Sequence, residues 1–431
     1  MRVGLSDAVA FEATLSELEK ESGSSMAIAT LDDLEYRYVG DDDARFIVAQ
    51  TGGQVILALV PATLSDDSLR SVLGITKPAA SLAGSGRLQA VAKEYGFTSH
   101  VIGIVDIERI ALTFLQEADG INAEVLALAD FHNEPLSAVC KSELSAMAGI
   151  APRLVTGYTE MNAKRVVSNT VFELRADIAD GLATIAAPVP GLGNKHGGLL
   201  SMGMSINMLA ARAFYEARLD AIEADPYECE LLADLQAGVG QGRAILEQPI
   251  PPIAYGLKGF LAIIDDIEGM DFANQQPPTD IDMRFLLATD NAPGLLAMGS
   301  MFSPELAALN LQPDGKPVQF QSAMMQGPVD EVWVAMNETG LALSVGDGGK
   351  DKLGAMLGAK AGEPPPFFSM DMDAERYYSF VADASAMQAG TDDDTPPEVT
   401  QAVSDIMSSF GDLFERMSVS VNFTDRGIEI P

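Results

Sequence analysis

One ordered series of local signals runs through this 431-residue chain twice, and it narrows the possible folds more than any other feature. In the first pass, Arg45–Ala49 and Gln54–Val60 read as a hairpin, with Gly52-Gly53 supplying the positive φ of a tight turn. A short helix Asp67–Leu73 stops at Gly74. An apolar strand, His100–Val105, runs into Asp106-Ile107-Glu108-Arg109, which starts a helix through Gln116. A helix over Leu136–Ala148 follows, and the strand Asn169–Ala176 turns at Ala179-Asp180-Gly181 into Leu182–Ala187. In the second pass, Glu331–Ala335 turns at Glu338-Thr339-Gly340 into Leu341–Val345, and a short helix ends at Leu357-Gly358. The strand Phe367–Met370 then meets Asp373-Ala374-Glu375-Arg376, a helix Thr400–Arg416 follows, and Met417–Phe423 turns at Thr424-Asp425-Arg426-Gly427 into Ile428–Ile430. Four matches in one order predict a tandem duplication. A weaker third echo is Phe260–Ile264 running into Asp266-Ile267-Glu268.

The remaining segments fit between these passes. An opening helix over 7–22 places Val9, Phe11, Leu15 and Leu18 near one face. Strands are expected at Ser25–Leu31 and Leu34–Val39, a helix at Gly86–Tyr95, and another opening at Pro152. Pro188–Gly198 is a glycine- and proline-rich loop. Met204, Met208, Ala211, Tyr215, Leu219 and Ile222 then recur at helical spacing, up to the break at Asp225-Pro226. A helix from Tyr227 through Cys229 follows, then strands at Tyr255–Ile264 and Asp282–Thr289. Hairpins and helices interleave without βαβ regularity, which predicts an α+β class. The expected architecture is two related halves of mainly antiparallel sheet with packed helices, joined by a helical middle region. The expected division is a first repeat over 1–190, a loop and helical connector over 191–252, and a second repeat over 253–431.

Composition narrows the partners. With 62 acidic and 27 basic residues the formal net charge is −35, which repels nucleic acid and anionic lipid surfaces. Hydrophobic residues make up 47%, enough for sizeable cores. No run of 18 apolar residues predicts a spanning helix. Residues 1–10 lack the basic start and apolar run of a signal peptide, so an envelope setting would need a leader or lipid anchor removed ahead of them.

Motifs with a mechanism are scarce. His132 lies between the carboxylates of Asp130 and Glu134, a polar loop with too few ligands for a metal. His196 sits in Gly193-Asn194-Lys195-His196-Gly197-Gly198, which lacks the lysine–hydroxyl ending of a phosphate loop and reads as a connector. The two Asp-x-Glu-Arg segments could pair carboxylates for acid–base work, but aspartate before a helix with glutamate in its first turn is ordinary helix-start chemistry. Thr395-Pro396-Pro397-Glu398 fits a capping box. No nucleophile elbow occurs, and no cofactor or metal is expected.

Cys140 and Cys229 belong to no CxxC pair; they are either two buried thiols or one long-range disulfide. Sixteen of the 20 methionines follow residue 200. Flexible thioethers suit surfaces that adapt to varied apolar ligands as well as ordinary core, so Met204, Met208, Met298, Met301, Met370 and Met372 are the candidate lining of an apolar site.

The runs Cys140-Lys141-Ser142-Glu143, Pro152-Arg153-Leu154-Val155-Thr156-Gly157-Tyr158, Pro188-Val189-Pro190-Gly191-Leu192 and Tyr227-Glu228-Cys229-Glu230-Leu231-Leu232 resemble uncharacterised bacterial cell-envelope proteins. Those proteins look like exported or lipid-anchored chains with duplicated α+β domains. The resemblance brings no catalytic residues. It implies a periplasmic or surface setting and favours the disulfide over two free thiols.

Three functional readings follow. The first is a non-catalytic envelope protein that binds an apolar, lipid-like ligand or a protein partner. Its carrier form needs a groove lined by methionine and phenylalanine, and its partner form needs an exposed apolar patch. The second is a hydrolase with a dispersed site using His132 or His196. The third is a structural module without a ligand.

Overall fold

The structure is a computed structural model and describes residues 1–23, 25–115, 120–128, 136–269, 278–320, 331–346, 348–379, 381, 405–406, 409 and 411–431. His132 with Asp130 and Glu134, Met324 and Met325, the capping box at 395–398 and most of the expected helix 400–416 lie outside these residues. The chain divides into two compact units, Met1–Phe97 with Asp106–Gly149, and Thr98–Val105 with Ile150–Pro431.

The first unit holds a five-stranded antiparallel sheet. Its strands are β1 (Arg2–Gly4), β2 (Ala27–Leu31), β3 (Leu34–Gly40), β4 (Ala44–Thr51) and β5 (Gln54–Pro61), in the order β1-β5-β4-β3-β2. Gly52 and Gly53, at φ 57° and 76°, close the β4–β5 hairpin as their sequence predicts. Ile47, Ala49 and Ile56 on one face of this sheet form a core with Leu69 and Leu73 of the helix Asp66–Leu73. That helix starts at Ser65, whose Oγ accepts the Ser68 N–H, and ends at Gly74 with φ 75°. The opening helix is Ala8–Ser22, but Val9 and Leu18 point into solvent, so its buried stripe is narrower than its apolar spacing suggests.

The second unit is built on a 12-stranded sheet. Its strands are β6 (Ile102–Asp106), β7 (Arg153–Asn162), β8 (Arg165–Glu173), β9 (Leu200–Ser205), β10 (Leu257–Glu268), β11 (Asp280–Thr289), β12 (Val318–Gln319), β13 (Val332–Met336), β14 (Gly340–Val345), β15 (Phe368–Asp373), β16 (Arg416–Thr424) and β17 (Gly427–Ile430). Their order is β12-β13-β14-β11-β10-β9-β15-β16-β17-β8-β7-β6. Strands consecutive in the chain sit together in threes, and the threes meet at β8/β17, β15/β9 and β11/β14. With antiparallel sheets and helices packed on them, the class is α+β.

Both Asp-x-Glu-Arg segments end a strand and open a helix. The Arg109 N–H donates to Asp106 Oδ1 and the Arg376 N–H donates to Asp373 Oδ1, each at 3.1 Å. Several local expectations fail. Pro152 opens β7 instead of a helix, because the alternation after Arg153 has period two. Ala179-Asp180-Gly181 lies inside the helix Ala176–Ala183, where Asp177 favours the first turn; the hairpin of that region is β7–β8. The third echo is one continuous strand, β10, with a bulge between Ile264 and Asp266.

Candidate functional site

Six neighbouring strands of the large sheet, in the order β14, β11, β10, β9, β15 and β16, share one apolar face. Residues paired across an antiparallel ladder point to the same side, so the registers define rows. The middle row is Leu343, Phe285, Ala262, Met202, Met370 and Val419. On one side of it lie Leu341, Leu287, Phe260, Met204, Phe368 and Val421, and on the other Val345, Met283, Ile264, Leu200, Met372 and Met417. No polar side chain interrupts the three rows. Val345 and Met372 are buried, Met202 is 38% exposed, and the rest are half-buried. Phe260 and Phe285 stack with ring centres 6.0 Å apart, and Phe423, one step beyond Val421, stacks on Phe367 at 4.6 Å.

The reverse face of the same strands is made differently. One row runs Ala342, Leu286, Leu261, Gly203, Ser369 and Ser420, and the next Ser344, Arg284, Ile263, Ser201, Asp371 and Ser418. Small and polar residues dominate it, yet Ala342, Ser344, Leu286, Arg284, Leu261, Ile263, Ser201 and Asp371 are all buried. Val189 and Leu192 of the proline-rich loop and Leu353, Met356 and Leu357 of the helix Gly349–Leu357 join the core on this side. Gly203 permits that cover, because a Cβ there would lie 2.8 Å from Leu192 Cδ1.

Two ion pairs hold charges on this buried face. Arg284 donates through Nε and Nη2 to both oxygens of Asp265, each at 2.7 Å, and Lys352 Nζ lies 3.4 Å from the same carboxylate. Burial alone would raise the Asp265 pKa, but Arg284 and Lys352 outweigh it and hold the carboxyl below its ordinary value. Asp282, two residues before Arg284, is pushed up by burial, and its Oδ1 has no hydrogen-bond partner. Arg416 pairs with the buried Asp371 and donates through Nη1 to the Gly198 carbonyl at 3.1 Å. His196 Nε2 donates to the Gly191 carbonyl at 3.0 Å, and burial pushes this imidazole down, so it is neutral near pH 7 with its proton on Nε2. His196 therefore braces the loop that covers the sheet.

The structure brings Met204, Met370 and Met372 onto the apolar face across the β9–β15 ladder. Met204 belongs to β9, not to a helix; the helix Met208–Ala224 begins at Met208, which is half-buried just beyond the strand. Met298 and Met301 lie on and just after the helix Ala292–Ser300, outside the strand rows, and Met301 is 81% exposed. Cys140 and Cys229 are both disulfide-bonded. The residues missed by the sequence reading are Met202, Phe260, Phe285, Phe368 and Val419; their signal was period-two alternation in Met202–Met204, Phe260–Ile264 and Val419–Phe423.

Among the described residues, no helix is long and apolar enough to cross a membrane, and no group of three or more His, Cys, Asp or Glu side chains could hold a metal ion. No protein-family model matches the chain, and no curated protein or solved structure is similar to it.

Proposed function

We propose that this is a non-catalytic binding protein in which the apolar face shared by β11, β10, β9, β15 and β16 takes the hydrocarbon part of a lipid-like ligand. The observation that carries this reading is a second apolar face: large apolar side chains line the half-buried side of the sheet, although Leu261, Ile263 and Leu286 already supply a sealed core on the other. A contiguous apolar patch of this kind marks a surface used in binding. Methionines at Met202, Met204, Met370 and Met372 supply side chains that reshape around chains of varied length. The disulfide supports an extracytoplasmic setting, where such bonds persist. The matching helix caps at Asp106 and Asp373 support a tandem duplication as the origin of the scaffold.

The test is binding of N-phenyl-1-naphthylamine, a neutral apolar dye, read by fluorescence and by native mass spectrometry of the intact chain. The expected result is saturable binding that Met202→Asp and Met370→Asp each abolish while the circular dichroism spectrum is kept. Absence of saturable binding, or binding untouched by both substitutions, sinks the proposal. The same spectra should show a mass two hydrogens below that of the reduced chain.

A further inference from the structure

We infer that the turn at Met301-Phe302 is a lipid-surface anchor, whose two side chains enter the outer part of a zwitterionic bilayer and hold the protein there reversibly. The inference goes beyond the hydrocarbon-binding reading above and is tested apart from it. Exposure is the first observation. Met301 is 81% exposed and Phe302 84%, and they stand side by side in the turn between the helices Ala292–Ser300 and Pro304–Ala308. The roots of this helical pair are the opposite. Ala292, Leu309 and Leu311 are buried in one core with Val334 and Met336 of β13, and Leu296 and Leu306 pack against it. The pair is therefore a finger, fixed at its base and apolar at its tip; its first helix, at about 1.5 Å per residue, is roughly 13 Å long.

The chemistry of the tip is the second observation. Between Asp290 and Glu305 no residue carries a charge. The N–H groups of Met301, Phe302 and Ser303 donate to the carbonyls of Met298 and Gly299 at 3.0–3.1 Å. Ser300 Oγ donates to the Leu296 carbonyl at 2.8 Å, and Ser303 Oγ accepts the Leu306 N–H at 3.4 Å. These polar groups of the tip have their partners within the chain, which removes the main cost of leaving water. Size and charge then select the occupant. Two side chains offer far less than the roughly 800 Å² per partner of a stable protein interface. The net charge of −35 opposes a second copy of the chain and an anionic bilayer alike, and leaves a zwitterionic lipid surface. Burial of two large apolar side chains gives reversible attachment, as a single acyl anchor does. The finger also lies on the same side of the sheet as the apolar rows, because Leu341 and Leu343 of β14 belong to the rows and pack against its base.

The test is flotation of the full-length protein with vesicles of phosphatidylcholine, alone or mixed equally with phosphatidylglycerol. The native protein should float with phosphatidylcholine and less with the mixture. Met301→Ser/Phe302→Ser should lower partitioning about a hundredfold, as the loss of two buried side chains implies, and keep the circular dichroism spectrum. Val9→Ser removes an apolar side chain that is 80% exposed elsewhere in the chain and should change nothing. Phe302→Trp should be quenched by phosphatidylcholine brominated on its acyl chains, whereas the native Trp333 should not. No flotation of the native protein, flotation untouched by the double variant, or a preference for the anionic mixture overturns the inference. So does a dimer in solution that the double variant breaks into monomers, which would assign the tip to a second copy. Binding of N-phenyl-1-naphthylamine reads the other proposal separately: the double variant should keep it, and its absence from a protein that still floats overturns the hydrocarbon-binding reading alone.

Discussion

The two faces of the six central strands share one backbone and differ in almost everything else. The reverse face mixes alanine, serine and glycine with the fully buried Leu261, Ile263 and Leu286, and its cover approaches closely at Gly203 against Leu192 and at Gly349 against Ser344. The open face carries the larger residues and keeps them half-buried. Each fully buried side chain of the sealed face contributes about 1.5–3 kcal/mol. Under the proposed function, stability and recognition fall on opposite sides of one sheet, and substitutions should separate them.

The largest expected effect is on the buried side. Asp265→Ala should cost about 3–5 kcal/mol, because it strands Arg284 at 8% exposure without its bidentate partner. A fall in urea midpoint equivalent to less than 1 kcal/mol would break the contrast. The same carboxylate is held below its ordinary pKa in the fold, so its contribution is present above the unfolded value near 4 and is lost as pH falls through the lower folded one. The native protein should therefore lose this stability only in strong acid, and Asp265→Ala should flatten that part of the acid-unfolding curve.

Next in size, Ile263→Ala on the sealed face should cost about 2–5 kcal/mol, whereas Met202→Ser directly beside it on the open face should stay within about 0.5 kcal/mol. Similar losses for both, in parallel thermal melts, would show that the open face is core after all. The smallest effect belongs to Asp282. Its folded pKa is raised, so its favourable contribution is full below the unfolded pKa and is lost as pH rises through the folded one. Asp282→Asn should raise Tm slightly at pH 7 and not at pH 3. A fall at pH 7 would mean that the carboxylate has a partner that Asn cannot replace.

Much of the scaffold was legible from residues alone. Gly52-Gly53 marked its hairpin, Gly74 its helix end, and both Asp-x-Glu-Arg segments their strand-to-helix joints. Local chemistry is sufficient for such features. Errors arose where two periods compete in a short window. Met204 and Met208 fit a helical spacing, yet the strand–helix boundary falls between them at Asn207, whose side chain accepts the Ala210 N–H and caps the helix. The apolar face was legible only as a surplus of methionine. Its geometry depends on Met204 facing Phe368 and Phe260, and no sequence rule supplies a register between strands so far apart.

That long-range pairing governs how the molecule can be made. β17 pairs with β8, Ile428 against Phe172, while β15 lies against β9. The middle of the large sheet is therefore filled by strands made after those on either side of it, whereas β2 to β5 meet only strands next to them in the chain, apart from the pairing of β5 with β1. Translation can finish the small sheet early. The large one must wait for residue 430, with its apolar rows uncovered meanwhile, which is the slow, high-contact-order regime in which nascent chains aggregate or enlist a chaperone. Loss of Gly427–Ile430 alone would leave β8 and β16 without the neighbour that joins the two wings of the sheet.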